Sequence, residues 1–204
     1  MSIYALKGRL QDLLRPLVGR LAAAGVSANQ VTVAAAVVSL LVAAVVWRWA
    51  PAQPGLYLLL PSWLLLRMAL NAIDGMLARE FNQRSNLGAY LNETGDVVAD
   101  AALYLSLLGV AGISATTVWL FVLAAALTEF TGVLAAMIGA ARRYAGPMGK
   151  SDRAFLVGAI GLGLALAWLP VSVLNAVLAI AIALCLVTCI QRSRRALAAA
   201  PPPA

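Results

Sequence analysis

Six apolar runs follow one another along this chain, each about as long as a bilayer's hydrocarbon core requires. They cover about residues 29–50, 56–81, 87–110, 116–141, 154–169 and 171–190, the fifth being the shortest. A chain so patterned must satisfy its backbone within helices, because lipid offers no hydrogen-bond partners. Composition agrees: 63% of the 204 residues are hydrophobic and 11% are charged, where a soluble domain carries about 25% charged residues. The expected fold class is therefore all-α, a polytopic membrane protein with six transmembrane helices in a bundle over residues 29–190. With no long polar segment, residues 1–204 read as a single domain.

The ends of the chain differ from the runs. Residues 3–24 set leucines and basic residues at helical spacing, with Lys7, Arg9, Arg15 and Arg20 largely off the leucine face. This predicts an N-terminal amphipathic interfacial helix, its cations near membrane lipids. Pro16 is placed to kink it. Charges throughout residues 1–25 argue against a secretory leader. Residues 191–204 are basic, then low in complexity, and predict a disordered tail.

Charge placement gives the topology. With six spans, the N-terminal cations, Arg79, Arg84, Arg142, Arg143, Lys150, Arg153, Arg192, Arg194 and Arg195 all fall on one side, and only Arg48 on the other. The positive-inside rule makes that side, and both termini, cytoplasmic in a multi-pass inner-membrane protein. The same one-sidedness gives the net charge of +7 to a membrane surface, so no nucleic-acid partner is expected. With no histidine, His-based catalysis and His-ligated metals are excluded. Cys185 and Cys189 lie one turn apart in an apolar run and read as small hydrophobes.

Against this background the stretch 71–100, NAIDGMLAREFNQRSNLGAYLNETGDVVAD, is anomalous. Polar residues between apolar helices are costly and ask for a function. At 100° per residue Arg67, Asn71, Asp74, Gly75, Ala78 and Asn82 share a face, with Arg79 at its edge. Beyond a short link, Gly88, Asn92, Asp96 and Asp100 form a ridge spaced by four. The short link predicts that the two helices are antiparallel neighbours with Asp74 and Asp96 at similar depth. Carboxylates converging there would repel, and oxygen-only ligands suit Mg²⁺ or Mn²⁺. A remaining carboxylate can serve as general base, and Arg79 can grip a phosphate. Cation, base and arginine together suit phosphoryl transfer. Arg67 and Glu129 lie deep in runs two and four; either they pair, or Arg67 reaches Asp100.

These residues resemble the signature of the CDP-alcohol phosphatidyltransferases, D-x-x-D-G-x-x-A-R, eight residues, then G-x-x-x-D-x-x-x-D. Here residues 71–79 read N-x-x-D-G-x-x-A-R and residues 88–96 read G-x-x-x-N-x-x-x-D, with eight residues between. The likeness is closest to a bacterial inner-membrane subgroup with Asn at both of these places. It extends to the layout of a surface helix and six spans.

The resemblance implies an enzyme of phospholipid synthesis. A phosphatidyl group passes from a CDP-lipid, usually CDP-diacylglycerol, to an acceptor alcohol, and CMP leaves. It implies Asp96 as catalytic base and Asn71, Asp74, Asn92, Asp96 and Asp100 around a Mg²⁺ or Mn²⁺ site. Gly75, Ala78, Arg79 and Gly88, with Asp74, would hold the CDP-lipid. Asn29 and Thr32 match a family motif near the diphosphate, although Asn29 reads equally as a helix cap. Arg142, Arg143, Lys150 and Arg153 lie where the family binds a phosphorylated acceptor such as glycerol phosphate; positive-inside charge is the plainer reading. Family members are often homodimers.

The departures are Asn71 and Asn92, which replace aspartates and remove two negative charges from the metal site. Asp100 and Glu93 stand near enough in sequence to compensate. They also leave open a rival reading, a catalytically inactive lipid- or nucleotide-binding membrane scaffold of the same fold.

Overall fold

The structure is a computed structural model that describes residues 3–201, with side chains from Gln11 onward. Among these residues are seven α-helices and no strand: α1 Ile3–Ala23, α2 Ala28–Trp49, α3 Leu59–Glu80, α4 Asn86–Leu105, α5 Ala115–Met137, α6 Lys150–Ala165 and α7 Val171–Ala199. Tight 3-10 turns, Pro54–Leu58 and Ser106–Gly109, lead into α3 and out of α4. The leucine and basic positions before Gln11, and residues 202–204, lie outside what is described.

Helices α2 to α7 alternate in direction, as the contacts at their ends require. The Ala28 N–H at the start of α2 donates to Gln83 Oε1 in the α3–α4 link at 2.7 Å. Arg142, just past α5, pairs with Glu93 early in α4. Arg192, late in α7, donates to the Tyr144 carbonyl in the α5–α6 link at 3.1 Å. At the opposite end the Ser114 N–H before α5 donates to Asn175 Oδ1 in the first turns of α7, at 3.0 Å. The polar motif and most cations therefore share one end of the bundle.

The interior is dry where helices cross. Val46, Leu60, Trp63, Leu103, Tyr104, Phe121, Val157, Leu174 and Leu178 form a continuous core from six helices. The Trp63 indole N–H donates to Ser39 Oγ at 2.9 Å, which satisfies both polar groups away from water. Outward positions are equally apolar: Leu65 is 70% exposed and Ile180 61%. An apolar exterior around an apolar core is the pattern of a helix bundle meant for lipid rather than water. On α1, Val18 is buried against Ile73, Met76 and Leu77 of α3, while Leu13 and Leu17 point outward. Arg15 ties α1 to the end of α3 through Glu80 at 3.3 Å.

Four stretches are long and apolar enough to cross a membrane by length and composition: Ala28–Trp49, Pro54–Glu80, Ala115–Met137 and Val171–Ala199. The other two runs fall short for physical reasons. Glu93, Asp96 and Asp100 interrupt α4, and α6 has 16 residues, about 24 Å of helix at 1.5 Å per residue.

Two expectations need correction. The tail is not disordered from residue 191: α7 continues to Ala199, because Arg192 is drawn inward and is 1% exposed. Nor are α3 and α4 packed neighbours. Both pack on α2, and they touch each other little. The side chains between them are polar and seal no dry seam, so the helices splay and a cavity opens.

Candidate active site

The cavity between α2, α3 and α4 has a volume of about 500 Å³. Asn71, Asp74, Gly75, Ala78 and Arg79 line it from α3, and Gly88, Asn92 and Glu93 from α4. Asn29 and Thr32 close it from α2, and Arg84 from the α3–α4 link. Residues distant in sequence thus meet as the helical ridges predict.

Local structure explains their positions. Helix α2 is capped by Ser27, whose side chain accepts from the Gln30 N–H while Gln30 Oε1 accepts from the Ser27 N–H at 2.9 Å. Asn29 is therefore not the cap and is free to face the cavity. Thr32, one turn on, donates its hydroxyl to Asp74 Oδ2 at 2.9 Å and so orients that carboxylate. Ser85 caps α4 by accepting from the Gly88 N–H at 2.9 Å. A Cβ on Gly88 would come within 2.7 Å of Asn29 Oδ1, so only glycine lets α4 approach α2 here. Gly75 serves differently: an added Cβ would lie 3.1 Å from both Nη atoms of Arg79. The missing side chain leaves the guanidinium room to lie against the helix.

Asp96 sits behind this cavity, and its two oxygens are held by cations. Arg67 Nη2 donates to Asp96 Oδ1 at 3.0 Å, and Lys150 pairs with Oδ2. Arg67 also pairs with Asp100, so of the two alternatives for Arg67 the second holds. These bonds link α4 to α3 and α6, which pack on each other and otherwise touch α4 little. A second cavity of about 140 Å³ adjoins them, lined by Arg67, Asn71, Asp100, Lys150 and Ser151 over Leu64, Met68 and Ala154.

Glu129 does not meet Arg67. Arg153 reaches it at 2.7 Å, Arg142 at 3.1 Å and Arg192 at 3.7 Å. Arg153 is 1% exposed and also donates to Thr128 Oγ1 at 2.6 Å and the Met148 carbonyl at 3.0 Å. It belongs to the interior rather than to an open acceptor-binding surface. Arg192, read from sequence as a topological anchor, is likewise buried, donating to backbone carbonyls of Thr128, Tyr144 and Ala145. The sequence signal for this network was the lone Glu129 in an apolar run, which demanded a partner. Its three partners come from a loop and two later helices, so no spacing announced them. Gly132, one turn past Thr128, makes room: a Cβ there would lie 2.7 Å from the Arg143 carbonyl.

The oxygen donors suit one hard divalent cation. Asp74 brings a carboxylate, and Asn71 and Asn92 bring amide oxygens on the same cavity wall. Among the described residues no three of His, Cys, Asp and Glu cluster as a metal site. Asp96 joins the donor set only if Lys150 leaves it. Asp100, expected among the ligands, is engaged instead by Arg67 and, at 3.7 Å, by Arg153.

The family model for CDP-alcohol phosphatidyltransferases matches residues 25–190, which contain the linings of both cavities. The chain belongs to that family. It is an enzyme of the CDP-alcohol phosphatidyltransferase class. It is 48% identical to the inner membrane protein YnbA of Escherichia coli K12 over 199 residues, 97% of each chain. The fold is similar to that of Mycobacterium tuberculosis phosphatidylinositol phosphate synthase PgsA1, with a TM-score of 0.72 at 18% identity. One PgsA1 structure, in complex with manganese and citrate, covers 92% of this chain, which covers 90% of it. Another, with CDP-DAG bound, covers 92% and is covered to 94%. Within the family this chain keeps Asp74, Gly75, Ala78, Arg79, Gly88 and Asp96 of the signature and replaces two aspartates by Asn71 and Asn92.

Proposed function

We propose that this protein transfers a phosphatidyl group from CDP-diacylglycerol to an acceptor alcohol, releasing CMP. The observation that carries the reading is the 500 Å³ cavity, in which seven signature positions of α3 and α4, all but Asp96, meet Asn29 and Thr32 of α2. Its size suits a nucleotide diphosphate headgroup.

Arg79, Gly75, Ala78 and Gly88 hold the cytidine and diphosphate, with Asn29 and Thr32 beside them. Asn71, Asp74 and Asn92 would hold Mg²⁺ or Mn²⁺. When bound, the cation offsets charge on the diphosphate oxygens during in-line displacement. Asp96 takes the proton of the acceptor hydroxyl. The hydroxyl oxygen then bonds to the lipid-side phosphorus, and the bond from that phosphorus to the bridging oxygen breaks as CMP departs. Lys150, Arg142 and Arg143 lie on the acceptor side. Arg67 orients Asp96 through its 3.0 Å bond.

The setting follows from charge and apolar surface. Helices α2 to α7 form six spans, α4 and α6 being tolerated because their polar faces turn into the bundle. Helix α1 lies at the interface, its Leu13 and Leu17 toward lipid. The cavity and both termini are cytoplasmic, in the inner membrane, and the resemblance supports a homodimer. The scaffold reading draws on Asn71, Asn92 and the fully paired Asp96.

Purified protein given CDP-diacylglycerol, Mg²⁺ and a panel of acceptors decides between them. CMP release that Asp96→Asn abolishes, while CDP-lipid binding persists, supports transfer. No CMP from any acceptor favours the scaffold, and near-normal turnover in the variant removes Asp96 as base.

A further inference from the structure

The acceptor side of the site is neutralised from within. Sequence alone shows four cations at 142–153 and invites an anionic acceptor, yet carboxylates of the same chain already occupy three of them. Arg142 lies between Glu93 and Glu129. Arg153 lies between Glu129 and Asp100, and Lys150 lies on Asp96. Arg192 spends its donors largely on the Thr128, Tyr144 and Ala145 carbonyls. Arg143 makes no ion pair among the described residues, and it lines neither cavity.

We infer that the acceptor is a small uncharged alcohol and that Glu129, with Glu93 at the rim, sets this specificity. The inference rests on the transfer reading above. A phosphate ester beside Asp96 would have to draw Lys150 off Asp96, or Arg142 or Arg153 off Glu129, which is 7% exposed. Breaking a buried pair strands a charge, which costs more than the new contact returns. An uncharged alcohol asks for no such exchange. The cavity beside Asp96 mixes donors and acceptors, with Arg67 and Lys150 facing Asp100, Asn71 and Ser151. That lining suits hydroxyls, which both give and accept hydrogen bonds.

The test pairs two measurements on the detergent-solubilised full chain. CMP release is compared for glycerol and myo-inositol against glycerol 3-phosphate and inositol phosphate. Binding of inorganic phosphate is measured by calorimetry for the wild type, Glu129→Gln and Glu93→Gln. The second variant removes a carboxylate at the half-exposed rim, where folding is least at risk. The expected result is at least tenfold higher kcat/KM for the uncharged alcohols. Both variants should bind phosphate at least tenfold more tightly than wild type. A phosphorylated acceptor preferred by the wild type overturns the specificity while keeping transfer. Phosphate affinity unchanged in both variants overturns the role of Glu129 and Glu93. CMP release from no acceptor, with phosphate binding gained, refutes transfer and sustains the neutralised site.

Discussion

Arg67 is the place where the architecture can be weighed most directly. Its side chain is 5% exposed and holds two carboxylates of α4, Asp96 at 3.0 Å and Asp100. Since α3 and α4 touch little otherwise, this pairing joins them across the splay. In Arg67→Met, Asp96 keeps Lys150, but Asp100 keeps only Arg153 at 3.7 Å. One carboxylate is left nearly uncompensated in the interior, a loss of about 3–5 kcal/mol. Against a total stability of about 5–15 kcal/mol this is large. Replacing both partners, Arg67→Met with Asp100→Leu, removes the stranded charge and should recover most of the loss. Reversible unfolding in detergent of the wild type, both single variants and the double variant gives the coupling energy. A single Arg67→Met change within about 0.5 kcal/mol of wild type, or a double variant no better than the single, would refute the reasoning.

Three further outcomes follow from the cavity wall. Asn71→Asp with Asn92→Asp restores two negative charges beside Asp74 and should tighten Mn²⁺ binding at least tenfold by calorimetry; an unmoved affinity means these positions do not coordinate. Gly88→Ala forces a Cβ to within 2.7 Å of Asn29 Oδ1, so either Asn29 turns from its place in the cavity or α4 shifts, and KM for CDP-diacylglycerol should rise severalfold with the fold intact by circular dichroism. An unchanged KM would show that the α2–α4 approach does not shape the donor site. Thr32→Val removes the 2.9 Å bond that orients Asp74 and should weaken metal binding more than CDP-lipid binding measured without metal; equal effects on both would argue for general disruption.

The local rules read from sequence were enough for the helices and for the shared face of the motif. Periodicity placed Asn71, Asp74 and Ala78 together and spaced Gly88, Asn92 and Asp96 along a second ridge, and all of these but Asp96 line one cavity. What was illegible was pairwise geometry. A short link between α3 and α4 suggested packing, but α2 takes both helices and the polar faces stay apart. The cap of α2 proved to be Ser27 because Gln30 completes the reciprocal bond. The cations at 142–153 looked available because Glu129 and Asp100 lie on other helices, and ion pairs between distant residues leave no periodic trace. Arg192 likewise looked like part of a basic tail until the α5–α6 link supplied its carbonyl partners.

The central claim is transfer of the phosphatidyl group itself. Mass spectrometry of the lipid formed by purified protein from CDP-diacylglycerol carrying ¹⁸O at the non-bridging oxygens of the lipid-side phosphorus tests it most directly. The account predicts a phosphatidyl ester of the acceptor that retains the label, alongside unlabelled CMP. Label recovered in the nucleotide, or no new lipid with any acceptor, would contradict it.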